Sequence, residues 1–94
     1  MRSTENLVQH AKRWELDILI ADAQIGLTFL DSAETTADVA ARSHCIVEAG
    51  KAYFTTMNRL HNLTLDDQQA EPLSAQLRLL RKRLIRLGVL YERA

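Results

Sequence analysis

The sequence has little of what punctuates or cross-links a chain. Its 94 residues include three Gly, one Pro and one Cys, and aromatic residues make up only 5%. So few Gly and Pro leave few positions for turns, which favours a few long elements over many short strands. A single cysteine cannot form an intrachain disulfide or a thiolate-rich metal site within one chain. We therefore expect long helices without covalent cross-links.

An excess of charge of one sign is also lacking. The chain has 12 basic and 12 acidic residues and a net charge of zero. A protein that binds nucleic acid normally carries net positive charge, so we do not expect nucleic acid as a partner. The longest apolar region, Leu16 to Leu30, is interrupted by Asp17, Asp22 and Gln24, and we expect no membrane span. Since the N-terminus lacks the pattern of a secretory signal, a cytoplasmic location is the default expectation.

The two signs of charge are nevertheless separated along the chain. Residues 1–71 carry a net charge of −5, and residues 72–94 carry +5. Apolar residues make up 47% of the composition, mainly Leu, Ile, Val and Ala, which is typical of a helical bundle. The length is that of one domain, so we predict a single all-α domain over residues 1–94.

The first predicted helix, over about residues 4–31, has two apolar seams. Both alternate spacings of four and three residues, the period of a helix face. The first seam is Leu7, Ala11, Trp14, Ile18, Ala21 and Ile25, and the second is Leu16, Ile20, Ala23, Leu27 and Leu30. Together they are wider than the stripe of an ordinary surface helix, so this helix is expected to contact two neighbours.

The second predicted helix covers about residues 35–61. It follows a connection at residues 32–35, with Thr35 and Asp38 spaced as the cap and third residue of a capping arrangement. Its apolar seam is Val39, Ser43, Ile46, Gly50, Tyr53, Met57 and Leu60, broadened by Ala40, Val47 and Phe54. Small residues on its flank would allow another helix to approach closely: Ala37, Ala41, Cys45, Ala49 and Ala52. We expect Trp14, Tyr53, Phe54 and Met57 to pack in the core.

The third predicted helix covers about residues 65–91, with Thr64 and Asp67 at capping spacing. Its seam is regular: Leu73, Leu77, Leu80, Leu84, Leu87 and Tyr91. Pro72 leaves two starts open. Either the helix begins near Thr64 and is kinked near residue 68, which we prefer, or it begins with Pro72 in its first turn. Short connections then predict three long helices in an antiparallel up-down-up bundle.

Four apolar residues of the third helix lie off its seam and predict an interface: Leu79, Ile85, Val89 and Leu90. One bundle has no use for so many additional apolar positions, so we expect a homo-oligomer, with a dimer as the simplest case, or a partner helix. The same helix carries a basic surface of Arg78, Arg81, Lys82, Arg83 and Arg86. These residues would lie beside acidic residues of the first two helices, and nucleic-acid binding through them is the alternative.

Residues suited to catalysis are sparse. His44, with Glu48 one turn later, suggests a phosphotransfer-like signalling domain as a further alternative, although a carboxylate there would repel a phosphoryl group and more simply pairs with the imidazole. His10, His44, Cys45 and His61 are too dispersed for a metal site. No serine has the flanking glycines of a nucleophile elbow, and no phosphate-binding loop is present. We expect no cofactor and no enzymatic activity, and interpret the chain as a protein–protein interaction module.

Overall fold

The computed structural model describes residues 2–63 and 65–90, with side chains described from residue 7 onward. In these ranges the chain forms three α-helices and no strand: α1 (Arg2–Thr35), α2 (Val39–His61) and α3 (Asp67–Arg86). The predicted all-α fold of three long helices is confirmed.

The connection between α1 and α2 lies later than predicted. The Thr35 hydroxyl donates a hydrogen bond to the carbonyl of Asp31, 3.2 Å away, and so belongs to the last turn of α1. Asp38 is itself the N-cap of α2, because its carboxylate accepts from the backbone N–H groups of Ala40 and Ala41 at 2.9 and 3.1 Å. The predicted cap at Thr35 is therefore wrong.

The start of α3 has a capping box that the sequence analysis placed elsewhere. Asp66 accepts a hydrogen bond from the backbone N–H of Gln69 at 2.7 Å, and the Gln69 side chain accepts one from the Asp66 N–H at 3.2 Å. The predicted cap, Thr64, lies outside the described residues. Since α3 begins at Asp67, Pro72 lies beyond its first turn, and the alternative that places Pro72 in the first turn is wrong.

A glycine ends α3 at Arg86, before the predicted end at residue 91. Gly88 has a positive φ of 79°, and its N–H donates to the carbonyl of Ile85 at 3.0 Å while the N–H of Val89 donates to that of Leu84 at 3.0 Å. This is the Schellman arrangement that satisfies the last carbonyls of a helix. Tyr91 lies outside the described residues.

Ion pairs between the helices establish their directions. Arg59, near the end of α2, contacts Glu15 at 2.7 Å in the first half of α1, so these two helices are antiparallel. Arg83, near the end of α3, contacts Asp31 at 2.9 Å and Glu34 at 3.0 Å near the end of α1, so α1 and α3 are parallel. The up-down-up topology is confirmed.

The core is formed by the leucine seam of α3, by Ala49 and Tyr53 of α2, and by a face of α1 that includes part of the second predicted seam. Leu73, Leu77, Leu80 and Leu84 are buried, as their spacing predicts. The buried face of α1 is Leu19, Ala23, Gly26, Leu30 and Ala33, with Leu27 beside it. This series also alternates four and three, and Leu19, which is on neither predicted seam, is completely buried.

The buried face of α1 contains small residues because the helices approach closely there. A Cβ atom added to Gly26 would lie 3.0 Å from Cδ2 of Leu80 and 3.3 Å from Cβ of Ala52. Both contacts are tighter than ordinary van der Waals separation, so α2 and α3 meet α1 at this glycine. Ala52 belongs to the small flank that the sequence analysis identified on the second helix.

Two of the four residues predicted to pack in the core lie on the surface instead. Tyr53 is buried and Met57 packs against the core, but Trp14 is 70% exposed and Phe54 is 53% exposed. The prediction for Trp14 and Phe54 is therefore wrong. The molecule is also elongated, with a radius of gyration of 15.6 Å, whereas a compact chain of this length would have about 12 Å.

Candidate interaction surfaces

One regular apolar seam of α1 is largely exposed beside the face that packs on α2 and α3. It is the first predicted seam, which we call the α1 stripe: Leu7, Ala11, Trp14, Ile18, Ala21 and Ile25. Leu7 is 69% exposed, Trp14 70% and Ile25 51%. Ile18 is half-buried. The pattern of the sequence predicts this seam, but as a face that neighbouring helices cover.

The position of the α1 stripe follows from the helical period. At 100° per residue it lies about 120° around α1 from the buried series that contains Leu19 and Leu30. Both other helices pack on that buried side, so most of the α1 stripe is open to solvent. Ile25, at its end, lines a groove of about 220 Å³ with Ala52 and Thr55 of α2. Six residues at strict heptad spacing over about 27 Å of helix form a seam of the kind that pairs with another helix.

Acidic residues flank the α1 stripe on both sides. Glu15 and Asp22 lie along one side and share a single guanidinium, that of Arg59, at 2.7 and 3.6 Å. Two carboxylates on one cation leave this side net negative. On the other side lies Asp17, which is exposed and has no ion pair within the described residues.

Four of the five predicted basic residues lie on the exposed part of α3. Arg78 pairs with Glu71 of the same helix at 2.9 Å, whereas Arg81, Lys82 and Arg86 are exposed and contact no carboxylate in the described ranges. By the helical period, Arg78, Lys82 and Arg86 form a row along one side of Leu79, which is 49% exposed. We call these four residues the basic face of α3.

No family model, curated protein or solved structure matches this chain. Its surfaces are therefore interpreted from their own geometry and charge.

Arg83, the fifth predicted basic residue, joins α3 to α1. Its side chain is only 17% exposed and contacts Asp31 at 2.9 Å and Glu34 at 3.0 Å. Burial lowers the pKa of Arg83, but the hydrogen bonds and charges of the two carboxylates outweigh it, so the pKa is raised above its ordinary value. The two carboxylates therefore favour the charged form of the guanidinium. This pairing of basic and acidic residues is the arrangement that the sequence analysis proposed.

Replacing Arg83 tests how much its two ion pairs with α1 contribute to the free energy of unfolding. We expect Arg83→Gln to lower the free energy of unfolding by about 1 kcal/mol, because both carboxylates are more than half exposed and solvent screens the pairs. Arg81→Gln is the matched control, since Arg81 is exposed and should change stability by less than about 0.5 kcal/mol. Urea unfolding followed by circular dichroism measures both. Equal effects of the two substitutions would contradict a specific role for Arg83.

The four residues of the predicted interface differ in their surroundings. Leu79 is 49% exposed and Val89 37%, while Ile85 and Leu90 are half-buried. Leu90 packs against the core, and Cγ1 of Val89 lies 3.7 Å from where a Cβ of Gly50 would be. Leu79 is therefore the member most available to a partner.

The histidine and cysteine residues are not brought together. His10, His44 and His61 are exposed, and Cys45 is half-buried in α2. The carboxylate of Glu48 contacts Lys51 at 3.4 Å instead of the expected His44. Within the described ranges, no three His, Cys, Asp or Glu side chains are grouped to hold a metal ion. No described helix combines the length and apolarity needed to cross a membrane.

Shallow grooves run between the helices. One groove of about 240 Å³ between α2 and α3 has an apolar floor that includes Tyr53, Met57 and Leu77, with Arg78 and Arg81 at its edge. Another, of about 360 Å³, lies between the first half of α1 and the start of α3 and is lined mainly by polar and charged residues.

Proposed function

We propose that this chain is a non-enzymatic interaction module that self-associates through the α1 stripe. The observation that supports the proposal is the exposure of Leu7, Trp14 and Ile25 on one heptad-spaced seam. Burying such a seam against another helix removes large apolar side chains from water, at about 25 cal/mol per Å² of apolar area. Scattered exposed apolar residues are normal in monomers, but a regular row of them is typical of an interface.

A second copy of the chain is the partner that the charge distribution favours. The net charge is zero, so two copies are not driven apart, and the two signs are separated, with −5 on residues 1–71 and +5 on residues 72–94. The acidic part of one copy therefore attracts the basic part of another. The elongated chain exposes 6899 Å², whereas a compact monomer of its mass would expose about 5500 Å², so surface is available for such a contact.

The only tryptophan of the chain lies in the α1 stripe and reports directly on its burial. We expect the fluorescence emission of Trp14 to move to shorter wavelength as the protein concentration rises, because association removes the indole from water. We expect light scattering to show a mass above that of the 10.7 kDa monomer over the same range. A monomeric mass at every concentration, with unchanged emission, would contradict self-association.

Trp14→Glu should abolish the contact. Loss of a large aromatic anchor and introduction of a charge cost about 2–3 kcal/mol of association free energy, or roughly a 100-fold weaker affinity. Gln9→Glu is the matched control, since it adds the same charge at an exposed position about 140° around α1 from Trp14. We expect light scattering to show a monomer for the first variant and an unchanged assembly for the second. Equal behaviour of the two would place the contact elsewhere.

Nucleic-acid binding through α3 is a second candidate function. The observation that favours it is the exposure of Arg81, Lys82 and Arg86 without a carboxylate partner among the described residues. The net charge of zero argues against it, because the counterion release that drives binding to DNA favours proteins with net positive charge. Gel-shift titration with a short DNA duplex at low salt distinguishes the two functions, because only the second makes the chain bind DNA, with an affinity that falls as salt is raised.

A further inference from the structure

We infer that the surface of the second copy that binds the α1 stripe is the basic face of α3, so that unlike surfaces of two copies meet. This inference rests on the proposed self-association and specifies which surfaces take part in it. Exposed apolar side chains lie beside charges on both surfaces, a row of them on the α1 stripe and Leu79 alone on the basic face, and the charges have opposite sign. The described residues of the chain leave Leu7, Trp14 and Leu79 49–70% exposed.

The charges beside the α1 stripe disfavour its pairing with another α1 stripe. In such a pair Asp17 of one copy would approach acidic flanking residues of the other. Glu15 and Asp22 already share the guanidinium of Arg59. Lys51, which lines the groove beside Asp22, already pairs with Glu48 at 3.4 Å. An additional carboxylate on that side would therefore meet net negative charge. Like charges brought together at an interface select against that partner.

The basic face of α3 provides cations that can pair with the acidic residues beside the α1 stripe. Leu79 offers an exposed apolar side chain, and Lys82 and Arg86, one turn apart, have no acidic partner in the described ranges. Two helices that pack through their exposed rows would place these cations beside Asp17 and the flank of Glu15 and Asp22. Opposite charges at the edge of an apolar contact accelerate association and fix the orientation of the two copies.

Contact between unlike surfaces has a consequence for the assembly. After one such contact forms, the first copy still has a free basic face and the second a free α1 stripe. Assemblies of this type add further copies until they close into a ring, or remain open as a filament. We therefore expect the mass to grow beyond the dimer that the sequence analysis took as the simplest case.

Mixing two variants that are each defective in one surface tests the inference. The first is Trp14→Glu, which keeps its basic face and contains no tryptophan. The second carries Lys82→Glu and Arg86→Glu, and keeps its α1 stripe and Trp14. Each alone should associate at least about 10-fold more weakly than the unmodified chain. When the tryptophan-free variant is titrated into the other, Trp14 emission should move to shorter wavelength and scattering should show a one-to-one pair.

Two further measurements keep the result interpretable. Circular dichroism of each variant establishes that it is folded, and Lys82→Gln with Arg86→Gln serves as a milder substitute if the glutamates destabilise the end of α3. The association of the unmodified chain should weaken as salt is raised, because opposite charges at the edge of the contact are screened. Association that is unchanged by salt would oppose the inference.

The possible outcomes separate the inference from the function on which it rests. A monomeric unmodified chain overturns both. If Trp14→Glu is monomeric but the Lys82 and Arg86 variant assembles like the unmodified chain, self-association stands and the inference fails, because the α1 stripe then binds itself or another surface. If that variant instead loses salt-sensitive binding to a DNA duplex while its assembly is unchanged, the basic face is a nucleic-acid site. A shift of Trp14 emission to shorter wavelength that occurs only when the two variants are mixed supports the inference.

Discussion

Leu80→Ala should lower the free energy of unfolding by about 3 kcal/mol, the largest effect that we expect of a single truncation in this chain. Leu80 is completely buried, and its Cδ2 atom fills the space beside Gly26 where the three helices meet. Truncation removes three carbon atoms from water-excluded contact and leaves a cavity that the helices can fill only by moving. Domains of this size have a stability of about 5–10 kcal/mol, so the loss is a large fraction of the total.

Leu79→Ala is the matched control for this prediction. Leu79 precedes Leu80 in the same helix but is 49% exposed, so its truncation should cost less than about 1 kcal/mol. Thermal unfolding at low protein concentration, where association is negligible, should show a midpoint on the order of 10–20 °C lower for Leu80→Ala. Similar midpoints for the two variants would show that α3 packs in another register.

Gly26→Leu should destabilise the fold by about 2–3 kcal/mol through overpacking. The first added carbon would already lie 3.0 Å from Leu80 and 3.3 Å from Ala52, and the remaining three have no space between the helices. Gly26→Ala should be close to neutral. Its gain in helix propensity of about 1 kcal/mol is offset by the movement that Leu80 must make.

Gly50 provides the control for the effect of a helical glycine alone. A Cβ atom there would have Val89 Cγ1 as its neighbour at 3.7 Å, an ordinary contact, so Gly50→Ala should stabilise α2 by about 0.5–1 kcal/mol. The effects of Gly26→Leu and Leu80→Ala should not be additive. Gly26→Leu should lower the free energy of unfolding by less in a Leu80→Ala background, where space has been created. Additive effects of the two substitutions in urea unfolding would contradict a shared contact.

The period of the sequence predicted the helices well and the buried face of α1 in part. Ala23, Leu27 and Leu30 of the second predicted seam are buried, whereas Leu19 and Gly26 of the buried row were on neither seam. Apolar content also favoured the row that contains Trp14 and Ile25, which is largely exposed. The buried row contains Gly26 and two alanines, and small residues carry little apolar weight although they permit the closest approach of helices. Gly26 was the signal in the sequence that this row is buried, because a glycine inside a helix lowers its stability and is usually found there for close packing.

The caps and connections were predicted from sequence motifs, and their positions in the structure differ from the prediction by a few residues. Thr35 and Thr64 were predicted as the caps of α2 and α3. In the structure, nearby aspartates form these caps: Asp38 for α2 and Asp66 for α3. Asp and Thr both suit this position, so spacing alone cannot separate them. The sequence led to an interface prediction on the third helix, at Leu79, Ile85, Val89 and Leu90. The larger exposed row is on the first, because nothing in a single sequence states which side of a long helix its neighbours occupy.

The length of α1 has a consequence for how firmly its parts are held. The helix has 34 residues and α3 has 20, so α1 is longer by about 21 Å. Residues 7–11 are all exposed, whereas Leu19, Ala23 and Leu30 are completely buried. Backbone amides should therefore exchange with deuterium fastest near Leu7 and slowest near the middle of α1. The part of the α1 stripe around Leu7 is then the least protected in a single copy, and it is the part whose protection would rise most when another copy binds.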